Sequence, residues 1–340
     1  MADLADGALA ADVLGGPVPD PLAVVDLDGD HDARTVESAA RRAEETDRVL
    51  VGVTVGTPPP SLARAMDLSL GGAPASASRY VVAVPDVGAA LGLIAGTARK
   101  NPQAALVLRR VLRTTGELPV PAALDVESFA YSTLLGGAEF ARWLEARGQR
   151  PAPPEAAEPV LIGRAGDRLR VTLNRPERRN AYGRHLRDAL TDALRVALLD
   201  PQISRVDLDG AGPAFCSGGD LDEFGTAPDL ATAHFLRTRA GAAMLLHRLA
   251  EQGRTVHAFV HGPCVGAGIE LPAFAHRVTA RADAAFRLPE IAMGLIPGAG
   301  GTVGVPRRIG RWRTAHLALT GQAIDARTAA CWGLVDAVRA

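Results

Sequence analysis

The stretch that decides the fold is residues 256–302, which read VHAFVHGPCVGAGIELPAFAHRVTARADAAFRLPEIAMGLIPGAGGT. It begins with an apolar run that predicts a strand, and a glycine-rich turn then leads to a helix predicted to begin near Gly268. A second predicted strand, Ala285–Leu288, precedes another glycine-rich turn. Because strands, glycine turns and helix N-termini leave backbone N–H groups unpaired at one place, this stretch predicts the edge of a binding pocket.

Two carboxylic acids lie close to these turns. Glu270 follows the first glycine-rich turn, and Glu290 precedes the second. Backbone donors beside two glutamates can stabilise a developing oxyanion and move protons, which is what acyl-thioester chemistry requires. The simpler interpretation is structural, since a glutamate in the first turn of a helix is favoured by the helix dipole and a glutamate in a loop is often only solvated.

Three motifs, in this order, resemble the crotonase (enoyl-CoA hydratase/isomerase) superfamily: VTLNRPERRNA at 171–181, GPAFCSGGDLDE at 212–223 and PEIAMGLIPGAGGT at 289–302. Glycine-rich turns are common, so the resemblance depends on all three motifs together and on their spacing. It covers residues 160–338, about half of the chain. The resemblance implies an α/β fold of the ClpP/crotonase type, a spiral of ββα units with a helical module.

The resemblance also assigns an oxyanion hole. In the superfamily one N–H comes from the residue before the Asp of the GGD motif, which is Gly219 here, and the other from the residue three before the catalytic glutamate, which is Ala267. A thioester needs both donors because negative charge collects on its oxygen as an enolate forms. Many relatives have glycine at the second position, and the methyl group of Ala267 requires a tolerant backbone angle.

Glu270 and Glu290 match the two glutamates of enoyl-CoA hydratases. The resemblance implies that both hold a water molecule, that Glu270 helps to accept its proton, and that Glu290 exchanges a proton with the substrate Cα. Hydration of an α,β-unsaturated thioester needs such a base and such an acid. Superfamily members that retain one glutamate more often isomerise, so retention of both favours hydration.

Further residues are candidates for binding CoA. The loop with Arg178, Arg179 and Ala181 borders the adenosine in relatives, and an arginine there could meet a CoA phosphate, although a surface arginine needs no such role. In the loop that contains the GGD motif, Ser217 and Asp220 are further candidates for binding CoA. Asp220 is expected to hold the loop in place rather than to react.

The helical module also contains candidates for binding CoA. Trp143 and Arg147 match the aromatic and basic positions of the C-terminal crotonase helices that touch CoA. Ala146 stands where relatives often have lysine, so this chain departs from the family at that contact. Cys216 and Cys264 lie inside the motif loops but lack a partner base, and we interpret them as packing residues.

Upstream of the core, the pattern predicts a second α/β segment. Leu22–Leu27 and Arg48–Val55 are typical of strands, and Asp32–Asp47 of an amphipathic helix between them. The same order recurs between 169 and 208, which suggests a degenerate crotonase-like copy that has lost its site motifs. An unrelated accessory domain is the alternative. Residues 1–20 are expected to form a flexible leader with little to pack against.

The predicted organisation is a segment at 21–150 that ends in a helical module, a linker at 151–159 and a core at 160–340. The end of the module, FAYSTLLGGAEFARWLEARGQRP, is similar to the C-terminal helices of crotonases, which follow the core, cover the CoA site and build the trimer. Here these helices precede a core that lacks them. We hypothesise that the module covers the core in their place, in its own subunit or in a neighbouring one.

Composition narrows the class of protein. Hydrophobic residues at 47% and charged residues at 22% are typical of a soluble globular protein, and a net charge of −1 gives no general attraction for nucleic acid or an anionic membrane. Three cysteines without metal-ligand spacing, and the lack of dinucleotide or Walker motifs, predict no metal and no cofactor apart from the CoA of the substrate. An acidic N-terminus is unlike a signal peptide, so we expect a cytoplasmic protein.

Three functions remain open at this level. The first is an enoyl-CoA hydratase or isomerase, which in this superfamily is commonly a trimer or hexamer. The second is other enolate chemistry on an acyl-CoA, such as hydrolysis, C–C bond chemistry or the cofactor-free dioxygenation of an arylacetyl-CoA. The third is a non-catalytic subunit whose helical module binds a partner core. The sequence does not identify the acyl group.

Overall fold

The structure is a computed structural model that describes residues 1–6, 20–29, 31–72, 78–148, 150–151, 153–154, 157–227, 229–239 and 241–340. Its helices are α1 (Ala2–Ala5), α2 (Ala33–Glu45), α3 (Pro60–Ala65), α4 (Val87–Lys100), α5 (Pro102–Thr115), α6 (Val120–Leu135), α7 (Ala138–Arg147), α8 (Arg184–Leu199), α9 (Leu230–Arg239), α10 (Ala242–Glu251), α11 (Ala267–Glu270), α12 (Gly301–Ile309), α13 (Arg311–Thr320) and α14 (Ala326–Trp332). Its strands are β1 (Leu22–Asp26), β2 (Val49–Thr54), β3 (Leu68–Gly71), β4 (Val81–Ala83), β5 (Val160–Ala165), β6 (Arg168–Leu173), β7 (Arg205–Gly210), β8 (Thr255–Val260), β9 (Pro263–Val265), β10 (Arg277–Arg281), β11 (Ala285–Arg287), β12 (Ile324–Asp325) and β13 (Ala337–Arg339).

The larger sheet has six strands in the order β13-β10-β8-β7-β6-β5. All neighbours are parallel except β5 and β6, which form an antiparallel pair. Strand β6 alternates between exposed and buried residues, and its buried Leu169, Val171 and Leu173 join the same apolar core as Leu190 and Leu194 of α8. This amphipathic pattern is why α8 crosses over one face of the sheet between β6 and β7.

A small sheet has three strands in the order β12-β11-β9. Two of them, β9 and β11, are close in sequence to the glycine-rich turns. Strand β9 follows β8 after only His261 and Gly262, and β11 pairs with it in parallel. The predicted strands at 256–260 and 285–288 correspond to β8 and β11. The mixed α/β class predicted from the sequence is confirmed.

The N-terminal segment forms a separate parallel sheet of four strands in the order β1-β2-β3-β4. Helix α2 connects β1 to β2, as the pattern predicted. The expectation that the first residues have little to pack against is wrong for residues 1–6, because Leu4 is 1% exposed and Ser38 donates a hydrogen bond to the carbonyl of Ala5 at 3.1 Å. Residues 7–19 of the predicted leader lie outside the described residues.

The helical tract consists of α4 to α7. It is interrupted at Asn101, where Pro102 begins α5, at Pro119, which precedes α6, and at Gly136 and Gly137. Helices α5 and α6 contact α12 of the core, and α6 also contacts α9 and α10. The helical module therefore packs on the core of its own chain. Its status as a substitute for C-terminal helices stays a prediction, as does the linker, which is only partly described.

A buried carboxylate joins the N-terminal sheet to the helical module. One oxygen of Asp67 accepts hydrogen bonds from Nε of Arg109 at 2.9 Å and from the N–H of Leu50 at 2.8 Å. Its other oxygen accepts from Nε of Arg113 at 2.7 Å, and Arg311 of α13 lies 3.7 Å away. Asp67 thus compensates several cations at the boundary between sheet, module and core.

Substituting Asp67→Ala is expected to lower the free energy of unfolding by about 3–5 kcal/mol, since it leaves buried arginines without their counter-ion. Urea denaturation of the variant and the wild type measures this loss. The control is Asp47→Ala, which removes a surface partner of Arg110 and should have little effect. If both variants lost the same free energy of unfolding, the burial of Asp67 would not explain the loss.

Candidate active site

Two glycine-rich segments meet where β7 and β8 end. The N–H of Val265 donates to the carbonyl of Cys216 at 3.0 Å, and the N–H of Phe215 donates to the carbonyl of His261 at 2.9 Å. Gly268 permits this approach, because a Cβ at that position would lie 2.2 Å from the Cys216 carbonyl oxygen. Direct backbone contact therefore fixes the two segments relative to each other.

The residues predicted to form the oxyanion hole, Gly219 and Ala267, line one cavity of about 1100 Å³. Ala267 is the first residue of α11, where an N–H group has no acceptor within the helix. Neither the N–H of Gly219 nor that of Ala267 donates a hydrogen bond to another described residue. Both residues therefore line the cavity with an N–H group that no described acceptor uses.

Both predicted catalytic glutamates line the same cavity and are buried, with Glu270 2% and Glu290 8% exposed. One oxygen of Glu270, Oε2, accepts hydrogen bonds from the N–H groups of Ala299 at 2.7 Å and Gly301 at 2.9 Å. The Oε2 atom of Glu290 has no hydrogen-bond partner among the described residues. The two carboxyl groups thus differ in how well their charged forms are stabilised.

Gly266 fixes the space between the two acids. A Cβ on this glycine would lie 2.6 Å from Oε1 of Glu290 and 3.6 Å from Oε1 of Glu270. The Oε1 atoms of both acids therefore face the same small volume.

The electrostatics of the pair follow from burial. Burial raises the pKa of Glu290 to about 8. Burial, followed by repulsion from Glu290 and Glu127, raises the pKa of Glu270 well above its ordinary value, while its two backbone hydrogen bonds oppose the shift. Because like charges repel, ionisation of one acid favours the protonated form of the other, so the two acids titrate as a coupled pair.

A third buried acid, Glu127 of α6, was missed by the sequence analysis. Its carboxylate accepts hydrogen bonds from the N–H of Gly300 at 2.7 Å and from the N–H and hydroxyl of Thr302 at 2.8 and 2.7 Å. The four N–H groups of residues 299–302 therefore alternate between Glu270 and Glu127. A signal was present, since Glu127 lies three and four positions after Leu124 and Ala123 on the buried stripe of α6.

Substituting Glu127→Ala is expected to lower the free energy of unfolding by about 3 kcal/mol, because two buried N–H groups lose their acceptor. Glu127→Gln retains an acceptor oxygen and should lose less. Chemical denaturation measures both variants, with Asp125→Ala on the exposed face of α6 as control. If the alanine variants at 125 and 127 unfold alike, the carboxylate does not hold the turn.

The candidate CoA residues separate into two groups. Those that line the cavity are Trp143, Arg147, Arg179, Ser217 and Asp220. Arg178 and Ala181 are not among the described residues that line it. The guanidinium of Arg178 instead donates to Asp220 at 2.7 Å and to Asp222 at 2.7 Å. Arg178 and Asp220 therefore brace the loop, and a role for Arg178 in CoA binding requires this pairing to change.

Two residues that the sequence analysis did not single out also line the cavity, Tyr131 of α6 and Arg237 of α9. Cys216 lies nearby and is buried, and burial raises the pKa of its thiol to about 12, which keeps it protonated.

The described residues include no group of three or more His, Cys, Asp or Glu side chains suited to a metal ion. No described helix has the length and apolar character needed to cross a membrane.

Comparison with known proteins identifies relatives of the second half of the chain. The enoyl-CoA hydratase/isomerase family model matches residues 168–340. The 2,3-dehydroadipyl-CoA hydratase of Escherichia coli (strain K12) is 35% identical over 53% of this chain and 68% of its own length. The 1,2-epoxyphenylacetyl-CoA isomerase of the same strain is 36% identical over 49% of this chain and 64% of its own length, slightly less than two thirds.

Among solved structures, an enoyl-CoA hydratase from Mycobacterium smegmatis is similar at 31% identity, with a TM-score of 0.49 over 54% of this chain and 70% of that chain. The family model covers half of the chain, and the match to the dehydroadipyl-CoA hydratase extends over two thirds of that protein. The resemblance inferred from the three motifs is confirmed, and the chain belongs to the enoyl-CoA hydratase/isomerase family.

Proposed function

We propose that the protein is an enzyme of the enoyl-CoA hydratase type that adds water to an α,β-unsaturated acyl-CoA thioester. One observation carries the proposal: two free N–H groups and two buried glutamates converge on one cavity. The names of the curated relatives, a hydratase and an isomerase of CoA thioesters, support the same class of substrate.

In the proposed reaction the thioester oxygen accepts hydrogen bonds from the N–H groups of Gly219 and Ala267. Water adds to Cβ, and Glu270 accepts the proton that the water loses. The electron pair of the double bond passes to the thioester, where the two N–H groups stabilise the enolate oxygen. The enolate then collapses, and Cα takes a proton from Glu290. The steps are proton transfers and one addition, so CoA enters only as part of the substrate.

The difference in hydrogen bonding supports this division of roles. Two backbone N–H groups favour the ionised form of Glu270, which a base must have before the reaction, and they oppose the burial that raises its pKa. The buried Oε2 of Glu290 lacks a donor, which favours its protonated form, and a pKa of about 8 keeps that proton at neutral pH. Retention of both acids, facing one volume beside Gly266, favours hydration over isomerisation, which needs one acid to carry a proton between carbons.

The experiment is to add the protein to a panel of enoyl-CoA thioesters and to follow the absorbance of the conjugated thioester. Hydration removes this absorbance, whereas isomerisation of a 3-enoyl-CoA increases it. Oxygen uptake with an arylacetyl-CoA would indicate the dioxygenase alternative instead. A wild-type protein that is inert with the whole panel would contradict the proposal and favour a non-catalytic subunit. The trimer or hexamer and the cytoplasmic location stay predictions.

The pH dependence of kcat/KM tests the role of Glu290. Because Glu290 must carry a proton to act as the acid, kcat/KM is expected to fall once the pH rises above its pKa of about 8. The fall should approach about tenfold per pH unit, the slope for loss of one proton. Initial rates between pH 6 and 10 measure it. A value of kcat/KM that keeps increasing beyond pH 9 would exclude a protonated Glu290 from the reaction.

A further inference from the structure

A cationic group that the proposed chemistry does not use lies in the wall of the cavity. Arg237 of α9 lines it together with Tyr131 of α6. The guanidinium carbon of Arg237 lies 4.9 Å from the centroid of the Tyr131 ring. A Cβ on Gly298 would lie 2.4 Å from that ring, so Tyr131 packs directly on the turn before α12. Arg237 is thus near the reacting groups but contacts Tyr131 rather than Glu270 or Glu290.

Neutral groups of α6 hold the Arg237 side chain in place. Its Nε donates a hydrogen bond to the hydroxyl of Ser128 at 3.0 Å, and its Nη2 donates to the carbonyl of Ser128 at 3.4 Å and to the hydroxyl of Ser132. These two serines lie one helical turn apart, on the side of α6 that faces α9. The guanidinium is therefore oriented by acceptors that carry no charge.

No carboxylate is in direct contact with the charge of Arg237 among the described residues. Its hydrogen bonds to described residues come from Nε and Nη2 and go to Ser128 and Ser132, while Glu127 attracts it only from a greater distance. More deeply buried arginines of this chain are paired, Arg109 with Asp67 and Arg175 with Asp220. Burial lowers the pKa of Arg237, although attraction to Tyr131 and Glu127 opposes the shift. A half-buried cation without a carboxylate in direct contact is unfavourable, and an anionic ligand bound at its free edge would relieve this.

We propose that Arg237 binds a carboxylate at the free end of the acyl group, so that the preferred substrates are CoA thioesters of dicarboxylic acids. The inference rests on the proposed function and adds the class of acyl group. An arginine with a free edge matches the planar geometry of a carboxylate. Apolar side chains of Leu135 and Leu236, which also line the cavity, suit the methylene groups between the thioester and that carboxylate.

The test compares saturated thioesters, which bind but cannot be hydrated. Succinyl-, adipoyl- and suberoyl-CoA are each paired with the monocarboxylic thioester of the same chain length, and calorimetric titration gives the dissociation constants. In the wild type, at least one dicarboxylic member is expected to bind about tenfold or more tightly than its partner. Arg237→Met should abolish this preference, and Arg237→Lys should retain part of it.

The matched control is Arg195→Met, which removes an exposed arginine of α8 and should keep the preference. A wild type that binds both members of every pair equally, or a preference that survives in Arg237→Met, would overturn the inference. Hydration of the matching enoyl-CoA without any dicarboxylic preference overturns this inference and leaves the proposed function standing. A dicarboxylic preference without hydration of the matching enoyl-CoA would contradict the proposed function and leave the role of Arg237 standing.

Discussion

Substituting Glu270→Gln is expected to lower kcat/KM for hydration of an enoyl-CoA by about a thousandfold, because the amide cannot accept the proton of the attacking water. The glutamine oxygen can take the place of Oε2 and still accept both N–H groups that this atom now binds, from Ala299 and Gly301. The turn before α12 should therefore keep its place. Loss of the thioester absorbance, followed at saturating and at low substrate concentration, measures kcat and kcat/KM separately.

Two further measurements separate chemistry from folding in the Glu270→Gln variant. Binding of a saturated acyl-CoA should change little, since the N–H groups of Gly219 and Ala267 remain. Thermal unfolding should show no loss of stability, because the substitution removes a buried group whose ionisation is opposed by burial. Glu37→Gln, on the exposed face of α2, serves as the control substitution. A Glu270→Gln enzyme with more than about a tenth of the wild-type rate would exclude Glu270 as the base.

The sequence predicted the site where local motifs determine local geometry. The loops around Gly219 and Ala267, and the positions of Glu270 and Glu290, belong to short segments whose glycines and strands restrict the backbone strongly. The resemblance to the crotonase superfamily, which depends on these motifs, could therefore assign four residues from separate segments to one cavity. Their catalytic roles are still predictions, because position alone does not show proton transfer.

The contribution of the helical module could not be derived in the same way. Glu127 and Arg237 acquire their roles through residues far away in the chain: Glu127 through Gly300 and Thr302, and Arg237 through Ser128 and Ser132. Helical periodicity tells which side chains are buried, but not which turn of another element they meet. For Arg178 a local motif was misleading. The motif indicated a contact with CoA, but in the structure its guanidinium donates hydrogen bonds to Asp220 and Asp222.

Substituting Gly266→Ala is expected to lower kcat/KM for hydration by at least about a hundredfold, since small displacements of catalytic groups have effects of this size. The added methyl group would lie 2.6 Å from Oε1 of Glu290, so that acid or the backbone must move. The φ angle of Gly266 is 49°, which an alanine adopts only with strain. Both effects act on the volume that the two glutamates share.

The control for Gly266→Ala must also place an alanine at a positive φ angle, but at a position where the added methyl group meets no other atom. Gly166 has a similar φ of 61°, and a Cβ there would meet nothing within 4 Å. Gly166→Ala should therefore lower the unfolding temperature through backbone strain while leaving the rate of hydration unchanged. If both variants lose the same fraction of activity, backbone strain explains the loss. If only Gly266→Ala is inactive while it still binds a saturated acyl-CoA, the distance between the two carboxyl groups, and the water that it admits, determines the rate.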